Sequence, residues 1–195
     1  MKIFDIYDIS QIKIEDPALK RYINLNTKLF PKSHGRAQKR FEKAKINIVE
    51  RLINVLAVPG HRGKKHKIIT KWATGKFSQH VKNVLKAFSI IEKETKTNPV
   101  QILVKAIENA APCDEVTVIE YGGARYPQAV DCSPLRRLQL ALHHIVHGAY
   151  DKAFNKKITI AEALARELIL ASQGSNESFA VLKRAESEKQ ANAAR

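Results

Sequence analysis

One stretch of this chain is written with a two-residue period, and it is the sequence's only clear β signal. Glu115 to Tyr121 alternates and is rich in β-branched side chains; Gly122-Gly123 follows, and Arg125 to Cys132 returns. Two such runs joined by two glycines read as a β-hairpin over about 115–132, because a two-residue turn needs positive φ and glycine adopts it freely. A lone two-stranded hairpin is marginal in water, so the remainder must supply a body for it to stand on. The register implied by that turn sets Cys113 opposite Cys132 at the hairpin base. Two cysteines cannot make a disulfide framework, which argues for a reducing compartment and two buried free thiols there, although the same placement also allows a disulfide.

The body reads as helical. Phe41, Ile48, Val49, Leu52, Ile53 and Leu56 recur at helical spacing and predict an amphipathic helix from about Arg36 to Ala57, ended by Pro59-Gly60. A second helix is expected from Ser78 to Lys93, with Val81, Val84, Leu85, Phe88 and Ile91 on one face. Asn98-Pro99 is a cap followed by a helix-compatible proline and opens a third helix, with Leu103, Ala106, Ile107 and Ala110 inward and Pro112 closing it. Ser133-Pro134 starts a fourth, with Leu135, Leu138, Leu142 and Ile145 inward, ending near Gly148. Thr159 and Glu162 form a capping box for a fifth, with Leu164, Leu168 and Ala171 apolar and Gly174 past its end. The tail from about Lys183 is helix-prone with little to bury. Residues 66–78, with Ile68, Ile69 and Trp72, fit either a short strand or a helical turn. The expectation is a mainly α fold: about six helices with one protruding hairpin, an extended arm over 1–32 and a single domain over 33–195.

Charge then singles out one part of this body. The chain has 195 residues and a formal net charge of +15, and residues 31–82 hold fourteen basic and two acidic side chains, +12 of that total. Residues 1–30 carry +1 and residues 83–195 carry +2. One-sided charge repels itself and destabilises a compact state, so this segment is expected to meet a polyanion rather than to serve only as a solvated basic face. A membrane surface fits poorly: the segment lacks an interfacial apolar face, no apolar run reaches the ~18 residues of a membrane helix, and the N-terminus lacks a signal-peptide core. Within the segment Lys32, Arg36, Lys39, Arg40, Lys43, Arg62, Lys64, Lys65, Lys67, Lys71 and Lys76 are the expected phosphate contacts, with Arg136 and Arg137 as a second patch. Lys39, Arg40 and Lys43 would fall in the first turns of the first helix, where a cation is unfavourable unless an anion is near.

No catalytic constellation emerges. Gly60-His61-Arg62-Gly63-Lys64-Lys65 lacks the spacer and the Ser/Thr of a nucleotide-phosphate loop. His143 and His147 have i, i+4 metal-ligand spacing, but no glutamate follows the first and no third ligand is near, so a polar or partner-facing helix surface is the better expectation. No metal site, no cofactor and no Ser–His–Asp arrangement is expected. Tyr121, Arg125 and Tyr126 around the glycine turn suit stacking on bases and pairing with phosphates. Equally, the tyrosines could fold back on the helices.

Several stretches carry a family likeness. Val49-Glu50-Arg51-Leu52-Ile53-Asn54-Val55-Leu56 running into Pro59-Gly60-His61-Arg62-Gly63-Lys64-Lys65 resembles the first-helix signature of the ribosomal protein S-seven family. Residues 98–110 (Asn98-Pro99-Val100-Gln101-Ile102-Leu103 onward) are similar to its third helix, Tyr121-Gly122-Gly123-Ala124-Arg125-Tyr126-Pro127-Gln128 to its hairpin, and Ser133-Pro134-Leu135-Arg136-Arg137-Leu138 to the helix after it. Leu164-Ala165-Arg166-Glu167-Leu168 and the ending Ala194-Arg195 fit the closing segments, so the resemblance spans roughly 33–195. The long N-terminal arm and the ending look like the archaeal or eukaryotic branch. Residues 66–78 and His143-His144 depart from the family pattern.

The resemblance implies a non-enzymatic, cytoplasmic constituent of the small ribosomal subunit that binds the 3′ major domain of its rRNA and nucleates head assembly beside neighbouring head proteins. It also implies that Gly122, Gly123, Arg125 and Tyr126 lie on the side of exit-site tRNA and mRNA. The alternatives from other classes are an RNA-modifying or RNA-processing enzyme with a basic cradle, and a helical DNA-binding module. Folded RNA, read by shape and phosphates, suits the charge.

Overall fold

Polar side chains start the helices of this chain. In the computed structural model, which describes residues 2–26, 32–33, 37, 39, 41–60 and 73–195, the elements in chain order are β1 (Lys2–Ile3), β2 (Tyr7–Asp8), α1 (Pro17–Lys20), a 3-10 turn (Glu42–Lys45), α2 (Ile48–Ala57), α3 (Phe77–Thr95), α4 (Pro99–Ala110), β3 (Asp114–Tyr121), β4 (Ala124–Asp131), α5 (Pro134–Ala153), α6 (Ile160–Ser172) and α7 (Phe179–Ala193). The fold is mainly α, with seven α-helices and two small antiparallel strand pairs among the described residues. Asn47 accepts from Val49 N, Asn98 from Val100 N and Ser178 from Val181 N, and Thr159 with Glu162 completes the capping box of α6. Each satisfies a backbone donor that a helix start leaves open.

The apolar faces read from the sequence form the core. Leu52, Ile53, Phe88, Ile91, Leu103, Ile107, Leu138 and Leu168 are all fully buried. Each contributes about 1.5–3 kcal/mol relative to exposure. The alanine-rich helix α6 packs against α3, α4 and α5. Ala161, Ala163, Ala165 and Ala171 are buried there, and their small side chains let the neighbouring helices approach closely.

The N-terminal residues are strapped onto α4 through their backbone. Asn98 Nδ2 donates to the Asp8 carbonyl, Gln101 both accepts from Lys13 N (2.8 Å) and donates to Lys13 O (3.0 Å), and Glu108 accepts from the N–H groups of Glu15 and Asp16. Ile3, Leu19 and Ile23 reach the core, and the Tyr7 ring meets Phe88 edge-on at 5.6 Å.

Three boundaries and one burial differ from expectation. The first long helix begins at Ile48, not near Arg36: Asn47 caps it, and Phe41, expected as its first anchor, has φ 66° and is 60% exposed. Helix α5 does not stop at Gly148 but runs to Ala153. The last helix begins at Phe179 rather than within a solvated tail, and buries Ala180 and Ala191. Cys113 is exposed rather than buried, whereas Cys132 is buried with its thiol pushed up to about 11 by desolvation. Ile68, Ile69 and Trp72 lie outside the described residues.

Candidate nucleic-acid interface

The hairpin has the register the glycines require. Tyr121 pairs with Ala124 and Asp114 with Asp131, with Gly122 and Gly123 at φ 57° and 82°. Cys132 N donates to Cys113 O at 2.7 Å, so the two cysteines do meet at the base. Beyond Thr117 both strands stand clear of the body: Tyr121 is 82% exposed and Tyr126 58%, so neither tyrosine folds back on the helices. Arg125 and Glu120 face each other across the strands at 3.5 Å, a pair open to water and therefore weak.

Only the root of the hairpin is fixed. Ser187 Oγ donates to the Asp114 carbonyl (3.0 Å), Cys113 N donates to Glu188 Oε1 (3.1 Å), and Arg195 Nη2 donates to Asp114 Oδ2 (2.7 Å). On the other side Arg136 grips Glu115 with both Nη2 and Nε, which raises the guanidinium pKa above its usual value. Arg137 donates to Asp16 Oδ2 (2.9 Å) and to the Pro112 carbonyl (3.2 Å). The second expected patch therefore consists of two arginines already paired with carboxylates of this chain.

The basic segment divides in the same way. Lys39 and Lys43 are exposed around the 3-10 turn, where Lys39 N donates to Glu42 Oε2; neither sits in an α-helix, so the conflict with the dipole of α2 expected for them does not arise. Lys32 places its Nζ 5.4 Å from the centre of the Phe77 ring, which brings it to the end of α3 that Lys76 caps. Arg51, part of the segment's charge, is buried within α2, and desolvation lowers its pKa to about 10. Arg36, Arg40, Arg62, Lys64, Lys65, Lys67 and Lys71 lie outside the described residues.

Two further basic groups stand beyond the expected phosphate contacts. Lys82, Lys86 and Lys93 are exposed, and at 100° per residue they fall on one stripe of α3. Lys156, Lys157 and Arg166 are exposed where α5 turns into α6. Helical spacing could have found the first group. The second needs the fold to bring it together.

The histidines of α5 do not face a partner. His147 Nε2 lies 2.8 Å and His143 Nδ1 3.2 Å from the Pro59 carbonyl, and Tyr150 Oη donates to the Leu56 carbonyl at 2.8 Å. Residues 143, 147 and 150 form one stripe of a helix, and that stripe receives the carbonyl end of α2, where orphan acceptors and a partial negative charge collect. Gln139 Nε2 lies 2.8 Å from His143 Nε2. The network assigns His143 as the neutral tautomer, donating from Nδ1 and accepting at Nε2. Burial lowers the His143 pKa, partly opposed by the bond to Pro59. Among the described residues no three His, Cys, Asp or Glu side chains gather as metal ligands. The stripe holds the point from which the Gly60–Lys65 stretch departs.

No helix among the described residues is long and apolar enough to cross a membrane. A family model described as ribosomal protein S7p/S5e matches residues 19–195. A protein of Nanoarchaeum equitans named small ribosomal subunit protein uS7 is 53% identical over 196 residues, covering 100% of this chain and 99% of its own. Proteins of the same name from Methanothermobacter thermautotrophicus and Archaeoglobus fulgidus are 45% and 46% identical over 194 residues, covering 98% and 99% of this chain and 98% and 94% of their own.

Proposed function

The chain belongs to the ribosomal protein S7p/S5e family, and from that premise we propose that it binds the 3′ major domain of small-subunit rRNA and nucleates assembly of the head. As a member of that family it is a structural, non-enzymatic constituent of the small subunit of the cytoplasmic ribosome. The observation that carries the finer reading is the concentration of +12 charge in residues 31–82. Phosphates neutralised by such a segment release counterions, and that release supplies affinity without sequence specificity. We assign this binding to residues 33–195, with 1–32 as an arm, and to eleven of the thirteen lysines and arginines from Lys32 to Lys76, all but Lys45 and Arg51. Arg136 and Arg137 serve it by fixing the hairpin root and the N-terminal strap. Gly122, Gly123, Arg125 and Tyr126 at the free end of the hairpin are offered to exit-site tRNA and mRNA, with neighbouring head proteins around the body.

The test is a salt titration of binding to a 3′ major domain transcript. Log affinity is expected to fall with log salt by about 0.7–0.9 per phosphate neutralised. Charge reversal of Lys39, Arg40, Lys64 and Lys65 together should flatten that slope. A flat response in the natural chain, or a slope unchanged by the reversal, refutes the assignment.

A further inference from the structure

Helix α3 carries a buried imidazole that nothing in the fold uses. His80 is 4% exposed, and both of its ring nitrogens are sealed from solvent without a hydrogen-bond partner. Buried polar groups are almost always paired, so this residue calls for an explanation. His80 lines a cavity of about 360 Å³ between the start of α3 and the end of α5. Gln79 and Asn83 line it from α3, Phe154 and Lys156 from the turn after α5, and Ile158 closes the apolar side. An apolar chamber of this size with a few polar groups converging on it has the makings of a ligand site.

We infer that this cavity takes one unstacked nucleobase of the bound RNA. The inference rests on the RNA-binding reading above and names a subsite within it. Specific RNA recognition favours splayed bases, held against aromatic rings and hydrogen-bonded along their edges. Phe154 supplies the ring. The carboxamides of Gln79 and Asn83 each offer both donor and acceptor. Burial lowers the pKa of His80, and a neutral imidazole also presents one donor and one acceptor, the alternation found along a base edge. The rim carries one cation, exposed Lys156, and a second, exposed Lys76, sits outside the lining at the start of α3, one turn before His80. A base turned into the cavity would thus leave its phosphates beside Lys156, an arrangement that favours RNA over an apolar metabolite.

Two measurements on the full chain decide the matter. In the first, adenosine, guanosine, cytidine and uridine are titrated singly against protein with isotope-labelled histidine and followed by NMR. At least one nucleoside is expected to shift the His80 ring resonances saturably, on the order of millimolar for so small a ligand, while those of His143 stay put. In the second, Asn83→Trp fills the cavity from its half-buried rim, with circular dichroism confirming the helical fold. Binding to the 3′ major domain transcript should weaken about tenfold, the scale of one stacked base, and one unpaired base protected in the natural complex should regain reactivity toward an edge-modifying reagent. Silence of His80 toward all four nucleosides, or an Asn83→Trp footprint identical to that of the natural chain, overturns the subsite and leaves the RNA-binding reading intact. Failure of the natural chain to bind the transcript would overturn that reading instead, and the nucleoside titration would still decide what the cavity holds.

Discussion

The imidazole Nε2 of His147 stands 2.8 Å from the carbonyl oxygen of Pro59, and His143 Nδ1 approaches the same oxygen from 3.2 Å. With Tyr150 on Leu56, α5 thereby finishes the carbonyl end of α2 that no turn of its own helix satisfies. Removing a partner from a buried hydrogen bond costs about 1–3 kcal/mol. His147→Ala should lower stability within that range by urea unfolding, and His147→Gln, whose amide nitrogen can occupy the Nε2 position, should recover most of it. Tyr150→Phe should cost about 1 kcal/mol. Equal loss in the Gln and Ala variants would show that the bond to Pro59 contributes nothing.

Gly148 is a packing residue. A Cβ there would lie 2.8 Å from Phe179 Cβ and 2.9 Å from Glu167 Cδ. Glu167 cannot easily yield, since it is fully buried, accepts from Ser178 Oγ and Ala180 N, and pairs with Lys152 at 2.7 Å. Alanine would gain about 1 kcal/mol of helix propensity, but overpacking costs about 1–3 kcal/mol. Gly148→Ala should therefore destabilise on balance and Gly148→Val more so, measured as a lower denaturant midpoint. A rise in the midpoint for Gly148→Ala would contradict this.

Acid should weaken the fold through its buried histidines. His80 and His143 both have pKa values lowered by burial. The unfolded chain takes up protons near the ordinary histidine value of about 6.5, where the folded chain still resists them, so stability is lost as pH falls below that value. Urea midpoints should drop between about pH 7.5 and pH 5.5, and the drop should shrink in His143→Asn, which keeps a nitrogen at the Nδ1 position and cannot titrate. An unchanged pH slope in that variant would remove His143 from the account.

Arg137 and the lysines of the 3-10 turn should separate cleanly. Arg137→Ala breaks a largely buried pair with Asp16 and a bond to Pro112, so it should lower stability by about 1–3 kcal/mol and leave the salt slope of RNA binding nearly unchanged. Lys39→Ala with Lys43→Ala should do the reverse: little change in stability, and a slope reduced by up to about 0.9 per lysine. Crossed results would mean that Arg137 touches phosphate in the complex.

Much of this architecture was legible because its signals are local. The glycine pair fixed the hairpin register to the residue, and Asn98 and the Thr159–Glu162 box marked helix starts that the structure keeps. The misreadings have physical causes. Phe41 extended the apolar spacing of α2 by chance, while the true start, Asn47, sat unremarked inside the run. Gly148 reads as a stop signal, although its missing Cβ is used for close approach to Glu167. The tail reads as helix-prone with little to bury because α7 buries alanines, which leave no apolar stripe to read. The histidine stripe was invisible for a deeper reason: its partner is a backbone carbonyl 88 positions away. The same holds for Arg136 and Arg137, whose carboxylates come from β3 and from residue 16.

The hairpin is a lever with its fulcrum at the chain's last helix. Its eight-residue strands reach about 26 Å at about 3.3 Å per residue, and a root rotation of about 5° over that length sweeps the tip by about 2 Å. The aim of Tyr121 and Tyr126 is therefore set at the root, by Ser187, Glu188 and Arg195 on one side and Arg136 on the other. A substitution in α7 that leaves the fold and the tip sequence untouched would be felt as a pointing error at the far end.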